Sequence, residues 1–381
     1  MAGIMPFRDP ALPIERRVED LLGRMTLEEK VGQLMQYDGR QDGVAELAAA
    51  GKVGSILCVL GEAQVTAPAK AALGSRLGIP LLVGIDAIHG HSSWYNATIF
   101  PTQLALSHSW DEGICERVAR ATAVEMGSTG AHWNFAPLFC LPRDLRWGRT
   151  GETSGEDGLL IGRLGAAMVR GLQGDDLRRR DCVAACAKHY AGYGESEGGR
   201  DASESDHSRR KLRWLFLPPF REAVKAGCTT FMTAYHAIDG VPAAYHRWLL
   251  TDVLRGEWGF DGMVVTDWDI VGRKVRDRRI AATYEESSAR TLNAGNDLIM
   301  TTPQFYDATL ANLNSGTVSL AAVDQAVRRV LALKFRLGLF EDPRLPDDRA
   351  AAAAVATPAH RQLALESARA SLVLLRNRNG L

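Results

Sequence analysis

Seven short runs, apolar over most of their length and separated by stretches of helical character, restrict this chain to few folds. They are Val53–Leu60, Pro80–Asp86, His132–Pro137, Val183–His189, Thr229–Tyr235, Met263–Trp268 and Asp297–Met300. A strand with one wet face alternates apolar and polar residues, so runs without alternation read as strands covered on both faces in a parallel sheet. No glycine-rich nucleotide fingerprint follows any of them, and seven such units over about 300 residues favour a (β/α) barrel over a doubly wound sheet.

The flanking segments extend this reading. A helical stretch is predicted over Ile14–Gln36, restarted by a capping box at Thr26-Leu27-Glu28-Glu29. The last barrel helix is expected over Leu320–Leu337, with Val323, Val327, Val330, Leu331 and Phe335 on one face and Gly338 as its stop. Beyond the barrel, 1–340, the composition changes: 341–358 reads as a partly helical interdomain linker with Pro343, Pro346 and the run Ala350–Ala354. Residues 359–381 are expected to form an amphipathic helix, His360–Ala370, and a strand, Ser371–Leu375, as the truncated start of a second domain. One helix and one strand cannot build a core, and the apolar run Leu372–Leu375 predicts self-association through this tail, or disorder of the tail from about Ala350 onward.

Charge excludes some partners. The 381 residues carry 45 basic and 45 acidic side chains, so nothing marks the chain for nucleic acid or an anionic membrane. Met1–Asp20 has no apolar core of signal-peptide length and no later run approaches a membrane span, giving a cytoplasmic expectation. The six cysteines are scattered in mostly apolar contexts, as reduced buried thiols are. Cys182 and Cys186 lack further ligands nearby, so neither a metal nor another cofactor is expected.

Four of the apolar runs end in ionisable groups. Asp86 closes one, Lys188-His189-Tyr190 another, Tyr235-His236 a third, and Asp267, followed by Trp268, the fourth. Each alone has a plain alternative: a helix cap, a surface lysine, a core histidine, a buried ring. Together, at the C-terminal ends of parallel strands, they describe one mouth lined with hydroxyl-binding groups, as a polyol substrate requires. Trp268 offers a flat apolar face of the kind that stacks on a sugar ring. In two glycine-rich loops, Arg149 and Arg200 could grip vicinal hydroxyls, while Arg146, Glu152 and Asp157 read as a stiffening network.

Several segments together carry a resemblance: Arg17-Val18-Glu19-Asp20-Leu21-Leu22, Met25-Thr26-Leu27-Glu28-Glu29-Lys30, Arg146-Trp147-Gly148-Arg149, Gly155-Glu156-Asp157, Lys188-His189-Tyr190, Glu197-Gly198-Gly199-Arg200-Asp201 and Val265-Thr266-Asp267-Trp268. Their order and spacing over nearly the whole chain resemble the β-glucosidases of glycoside hydrolase family 3. The resemblance implies a TIM-like (β/α)8 barrel followed by an α/β sandwich domain that donates the acid/base carboxylate. It implies Asp267 as nucleophile and Asp86, Arg149, Lys188, His189, Arg200 and Tyr235 as sugar-binding residues, with Trp268 walling the subsite. The chain departs from the pattern at Cys140, where relatives commonly carry Asp, and at Leu145, where the motif has Pro.

The implied activity is that of a retaining, exo-acting β-glycosidase, which removes terminal β-D-glucosides through a covalent intermediate on Asp267. It is expected to be weak here because the second-domain acid/base is missing. Retention needs two carboxyls roughly 5–5.5 Å apart. Asp267 is expected to stay ionised beside cationic groups, Lys188 first among them. Three alternatives stand beside this: a half-enzyme that binds glycosides without turnover, an N-acetylglucosaminidase-like enzyme using Asp206-His207, and a Schiff-base aldolase using Lys188. Asp206 is otherwise expected to cap the helix through Leu212 and Leu215.

Overall fold

In the computed structural model, residues 5–59 and 61–380 are described; Met1–Ile4, Leu60 and Leu381, which the sequence reading assigned to the N-terminal stretch, the first apolar run and the tail, lie outside them. Eight parallel strands form one sheet: β1 Met35–Asp38, β2 Ser55–Leu57, β3 Leu82–Ile85, β4 Trp133–Asn134, β5 Ala184–Tyr190, β6 Thr230–Thr233, β7 Met263–Val265 and β8 Ile299–Met300. The order is β8-β1-β2-β3-β4-β5-β6-β7, and a parallel bridge between Val265 and Leu298 joins its two ends. The Thr266 N–H donates to the Leu298 carbonyl across that seam at 3.0 Å. The sheet is therefore a (β/α)8 barrel.

Every residue of these eight strands is buried, which is why the runs read as unbroken apolar sequence. Inside the barrel the fit is tight. At Gly84 of β3 a Cβ would lie 2.5 Å from the Phe135 ring, so only glycine lets that ring fill the space between neighbouring strands.

The N-terminal helix reading needs correction. Ile14–Arg24 and Leu27–Gln33 are separate helices, the second opened by the expected capping box: the Glu29 N–H donates to Thr26 Oγ1 at 3.3 Å, and the Thr26 N–H to Glu29 Oε2 at 2.9 Å. The chain then turns into β1 instead of continuing to Gln36. Met35-Gln36 pairs with Ile299-Met300 on one side, and Gln36–Asp38 pairs with Ser55–Leu57 on the other. Sheet pairing overrides helical periodicity here. The final barrel helix, Leu320–Arg336, buries Val323, Val327, Val330, Leu331 and Phe335, and Gly338 at φ +68° ends it.

After the barrel, Asp348–Ala354 is helical and capped by Asp347, and Pro358–Ala370 is a helix capped by Thr357. The strand expected at Ser371–Leu375 does not form. A strand needs a neighbour to satisfy its backbone, and among the described residues none pairs with this segment, whose Leu372–Leu375 side chains are exposed. The six cysteines are free, five of them buried. No helix of the described residues is long and apolar enough to cross a membrane.

Candidate active site

The C-terminal ends of β3, β5, β6 and β7 converge on one rim. Asp86 lies one residue beyond β3 and Asp267 two beyond β7, while Lys188 and His189 sit where β5 breaks register with β6 between Ala187 and Tyr190. Lys188 is buried and its Nζ donates to Asp86 Oδ1 at 2.6 Å, which holds the Asp86 carboxylate at the open mouth with its side chain 55% exposed. Asp267 is buried. Its Oδ1 accepts the Trp268 backbone N–H at 2.7 Å, and its Oδ2 has no hydrogen-bond partner, the nearest ring nitrogen being His189 Nε2 at 3.4 Å.

Arg149 reaches the rim from the long loop after β4. It forks onto Glu152, Nε to Oε1 at 2.9 Å and Nη2 to Oε2 at 3.0 Å, and Nη2 also donates to His189 Nε2 at 3.2 Å. Burial opposes its charge, but the bond to Glu152 and that carboxylate's field outweigh burial and hold the guanidinium protonated. Arg149 thus belongs both to the rim cluster, through His189, and to the stiffening network, through Glu152. Its neighbours do stiffen the loop: Arg146 forks onto Asp144, and Asp157 caps the helix Gly158–Gln173.

The environment assigns charge states. Burial, then the charges of Arg149 and Lys188, drive the His189 pKa well below the ordinary histidine value, so its ring is neutral. Because Nε2 accepts from Arg149, the proton sits on Nδ1, facing Cys140 Sγ at 3.5 Å; the same sulfur accepts the His189 backbone N–H at 3.2 Å. Asp267 is pushed up from the usual carboxylate value by burial, against the Trp268 N–H, Arg149 and Lys188. Burial is the larger effect, and among the cations Arg149 acts more strongly than Lys188, the neighbour expected first from sequence. Tyr235, half-buried beyond β6, has its phenol pushed up by burial and by the adjacent Asp267 charge.

Arg200 is exposed at the end of the Glu197–Gly199 turn, and its guanidinium makes no hydrogen bond or ion pair among the described residues. The neighbouring Asp201 instead ties the loop down, accepting from Trp147 Nε1 at 2.8 Å and from the Tyr193 hydroxyl. Gly199, at φ +68°, allows that approach, since a Cβ there would lie 2.6 Å from the Arg146 Cβ. Asp206 does not cap a helix. Ser208 does so, and His207 is buried in a stack on Phe216 with Nε2 3.1 Å from the Gly192 carbonyl.

The structure adds groups the sequence reading passed over. Tyr193 meets the His189 ring edge-on at 5.5 Å and stacks on His236 at 5.0 Å. Asp38 ends β1 and grips Arg40 at 2.6 Å; it would have emerged from the strand-end rule had β1 been recognised. Cys58 lies between Asp38 and Asp86, and its thiol is pushed up to about 11, first by burial and then by the Asp38 charge. No cluster of three or more His, Cys, Asp or Glu that could hold a metal ion occurs among the described residues.

Residues 26–333 match the model of the glycosyl hydrolase family 3 N terminal domain. The chain belongs to glycoside hydrolase family 3. The family 3 match encloses all eight strands and every rim residue from Asp38 to Trp268. The chain is 36% identical over 371 residues to the periplasmic beta-glucosidase of Salmonella typhimurium, covering 95% of this chain and 48% of that protein. It is 33% identical over 384 residues to a beta-xylosidase of Formosa agariphila, covering 97% and 48%. A solved structure of a beta-glucosidase involved in saponin metabolism from intestinal bacteria superimposes with a TM-score of 0.90 at 49% identity, covering 95% of this chain and 48% of that one. The chain spans about half the length of the curated relatives it matches.

Proposed function

We propose that this family 3 barrel carries the nucleophile of a retaining, exo-acting β-glycosidase that removes terminal β-D-glucosyl units. The observation that supports it best is Asp267: buried at the end of β7, one oxygen held by the Trp268 N–H and the other unpartnered. The fixed oxygen orients the carboxylate and the free one attacks the anomeric carbon. Lys188 and Asp86 exchange hydrogen bonds with sugar hydroxyls, Arg149 and neutral His189 hold one side of the ring, and Trp268 covers it. As the glycosyl-enzyme forms, the leaving oxygen takes a proton from a second carboxyl, which then activates water.

That second carboxyl is assigned outside the barrel rim. Asp86 is engaged with Lys188 and Glu152 with Arg149, while His207 of the Asp206-His207 pair is turned into the core. The bidentate Arg149–Glu152 pair and the Lys188–Asp86 pair suit ground-state recognition better than proton transfer. The relatives' names include both a β-glucosidase and a β-xylosidase, so the glucosyl preference rests on the wider resemblance.

The test is covalent labelling. A 2-deoxy-2-fluoro β-glucoside with an excellent leaving group, alongside the corresponding xyloside, should trap a glycosyl-enzyme whose peptide map places the sugar on Asp267. A label on Asp86, or none after prolonged exposure, would overturn the assignment.

A further inference from the structure

A second recess adjoins the rim. It has a volume of about 220 Å³ and is lined by Tyr235, Ile270 and the cations Arg273, Lys274 and Arg278, with Asp201, Ala202 and Asp277 also on its wall. Tyr235 is the shared partition: its phenol feels the Asp267 charge, while the Arg273 guanidinium sits 5.0 Å from its ring centroid on the recess side. The volume is below the ~300 Å³ typical of the smallest ligand pockets, so the recess suits one group of a ligand held mainly elsewhere.

The charges are unbalanced toward a ligand. Asp201 is committed to Trp147 and Tyr193, Asp277 lies 3.5 Å from Arg273, and Arg278 donates to the Ala202 carbonyl. Lys274 is the anomaly. It is buried at 3% exposure, yet its ammonium has no carboxylate partner, only the Tyr235 carbonyl at 3.0 Å. Burial and the nearby Arg278 and Arg273 pull its pKa down to about 8, with Glu204 opposing. A buried cation without an anion is unfavourable, and an arriving anion relieves that cost.

We propose that this recess is a leaving-group subsite that selects aglycones bearing a carboxylate, which Lys274 and Arg273 receive beside Tyr235. The proposal rests on the reading of Asp267 as the attacking group, since Tyr235 is what separates the recess from that carboxylate. Arg273 offers the planar fork and Lys274 the point charge that together suit a carboxylate on an aromatic or sugar acid.

Calorimetric titration with two hydrolysis-resistant thioglucosides, of thiophenol and of 4-carboxythiophenol, separates the two ideas. The carboxylated ligand should bind about five- to tenfold more tightly, an advantage that shrinks with added salt. Lys274→Met should erase the ratio; Arg273→Gln, at a half-exposed side chain that folding tolerates better, should reduce it. Equal affinity for the two ligands, undetectable binding of both, or an unchanged ratio in both variants overturns the subsite. Tighter binding of the carboxylated ligand by a protein that takes no fluoro-sugar label would leave the subsite standing and remove Asp267 as nucleophile.

Discussion

Asp267 holds a charge where the fold makes charge costly. Burial raises its pKa, and a nucleophile must be ionised to attack, so the labelling rate should fall on acidification at a pH above the ordinary carboxylate value of about 3.9. Burial also moves the His189 titration well below the ordinary histidine value, so the limb does not follow an ordinary histidine. A rate profile flat down to the ordinary carboxylate range would contradict the burial argument. The same physics bears on stability. A carboxyl with a raised folded-state pKa makes ionisation unfavourable to folding, a penalty present in full above that pKa and absent below the unfolded value. Asp267→Asn leaves Arg149 with Glu152 and Lys188 with Asp86, and its amide oxygen still accepts from the Trp268 N–H and the Tyr235 hydroxyl. The variant should lose labelling and gain about 1 kcal/mol at neutral pH, fading as pH falls through the carboxylate range; thermal unfolding at two pH values checks it.

Helix Glu112–Ser128 carries a different buried acid whose role is to join segments. Glu125 is fully buried and accepts the Thr98 N–H at 2.8 Å, the Thr98 hydroxyl at 2.6 Å, the Ala356 N–H at 3.0 Å and His360 Nδ1 at 2.7 Å. It pins the loop after β3 and the start of the last helix to one barrel helix. Burial raises its pKa, but the bonds from His360, Thr98 and Ala356 outweigh that, so the net shift is downward. Its stabilisation is therefore present above the ordinary carboxylate value and lost as pH drops through the lowered one. Glu125→Ala should cost roughly 3–5 kcal/mol by leaving these donors buried and unpaired, and a urea midpoint shift worth less than 1 kcal/mol would refute this. Such a junction is invisible in sequence because its partners lie 27 to 235 positions away. Seven strands were legible because both their faces are buried, and β1 was not because Leu34-Met35-Gln36 continues a helical pattern that only strand partners can interrupt. Strand-end logic found Asp86, Lys188, His189, Tyr235 and Asp267 for the same reason: a parallel barrel forces those positions to one rim. Loop residues escaped it. Arg149 and Arg200 looked equivalent in glycine-rich turns, yet the turn at Gly198 and Gly199 leaves Arg200 exposed while Glu152 draws Arg149 inward.

A barrel in which all strands run parallel has one chemical face, and the proposed sugar-binding residues Asp86, Arg149, Lys188, His189 and Tyr235 lie on it. In the proposed reading recognition and nucleophile share one rigid body, whereas proton delivery to the leaving oxygen is assigned to a group outside it. That division has a kinetic consequence. General-acid assistance is worth about 10²–10⁴-fold, and its absence is felt in proportion to how poorly the aglycone departs unaided. If the proton donor lies outside the rim, residues 1–381 assayed on their own should turn over dinitrophenyl β-glucoside measurably and cellobiose barely. Azide should accelerate turnover, because it attacks the glycosyl-enzyme without needing a base, and the product should be the β-glycosyl azide with retained configuration. An azide product of inverted configuration would mean that azide met the substrate directly and that no glycosyl-enzyme forms. Comparable efficiency on cellobiose and the activated glycoside would place the proton donor inside the barrel, and Asp86, the rim carboxylate most open to solvent, would then be the residue to replace first.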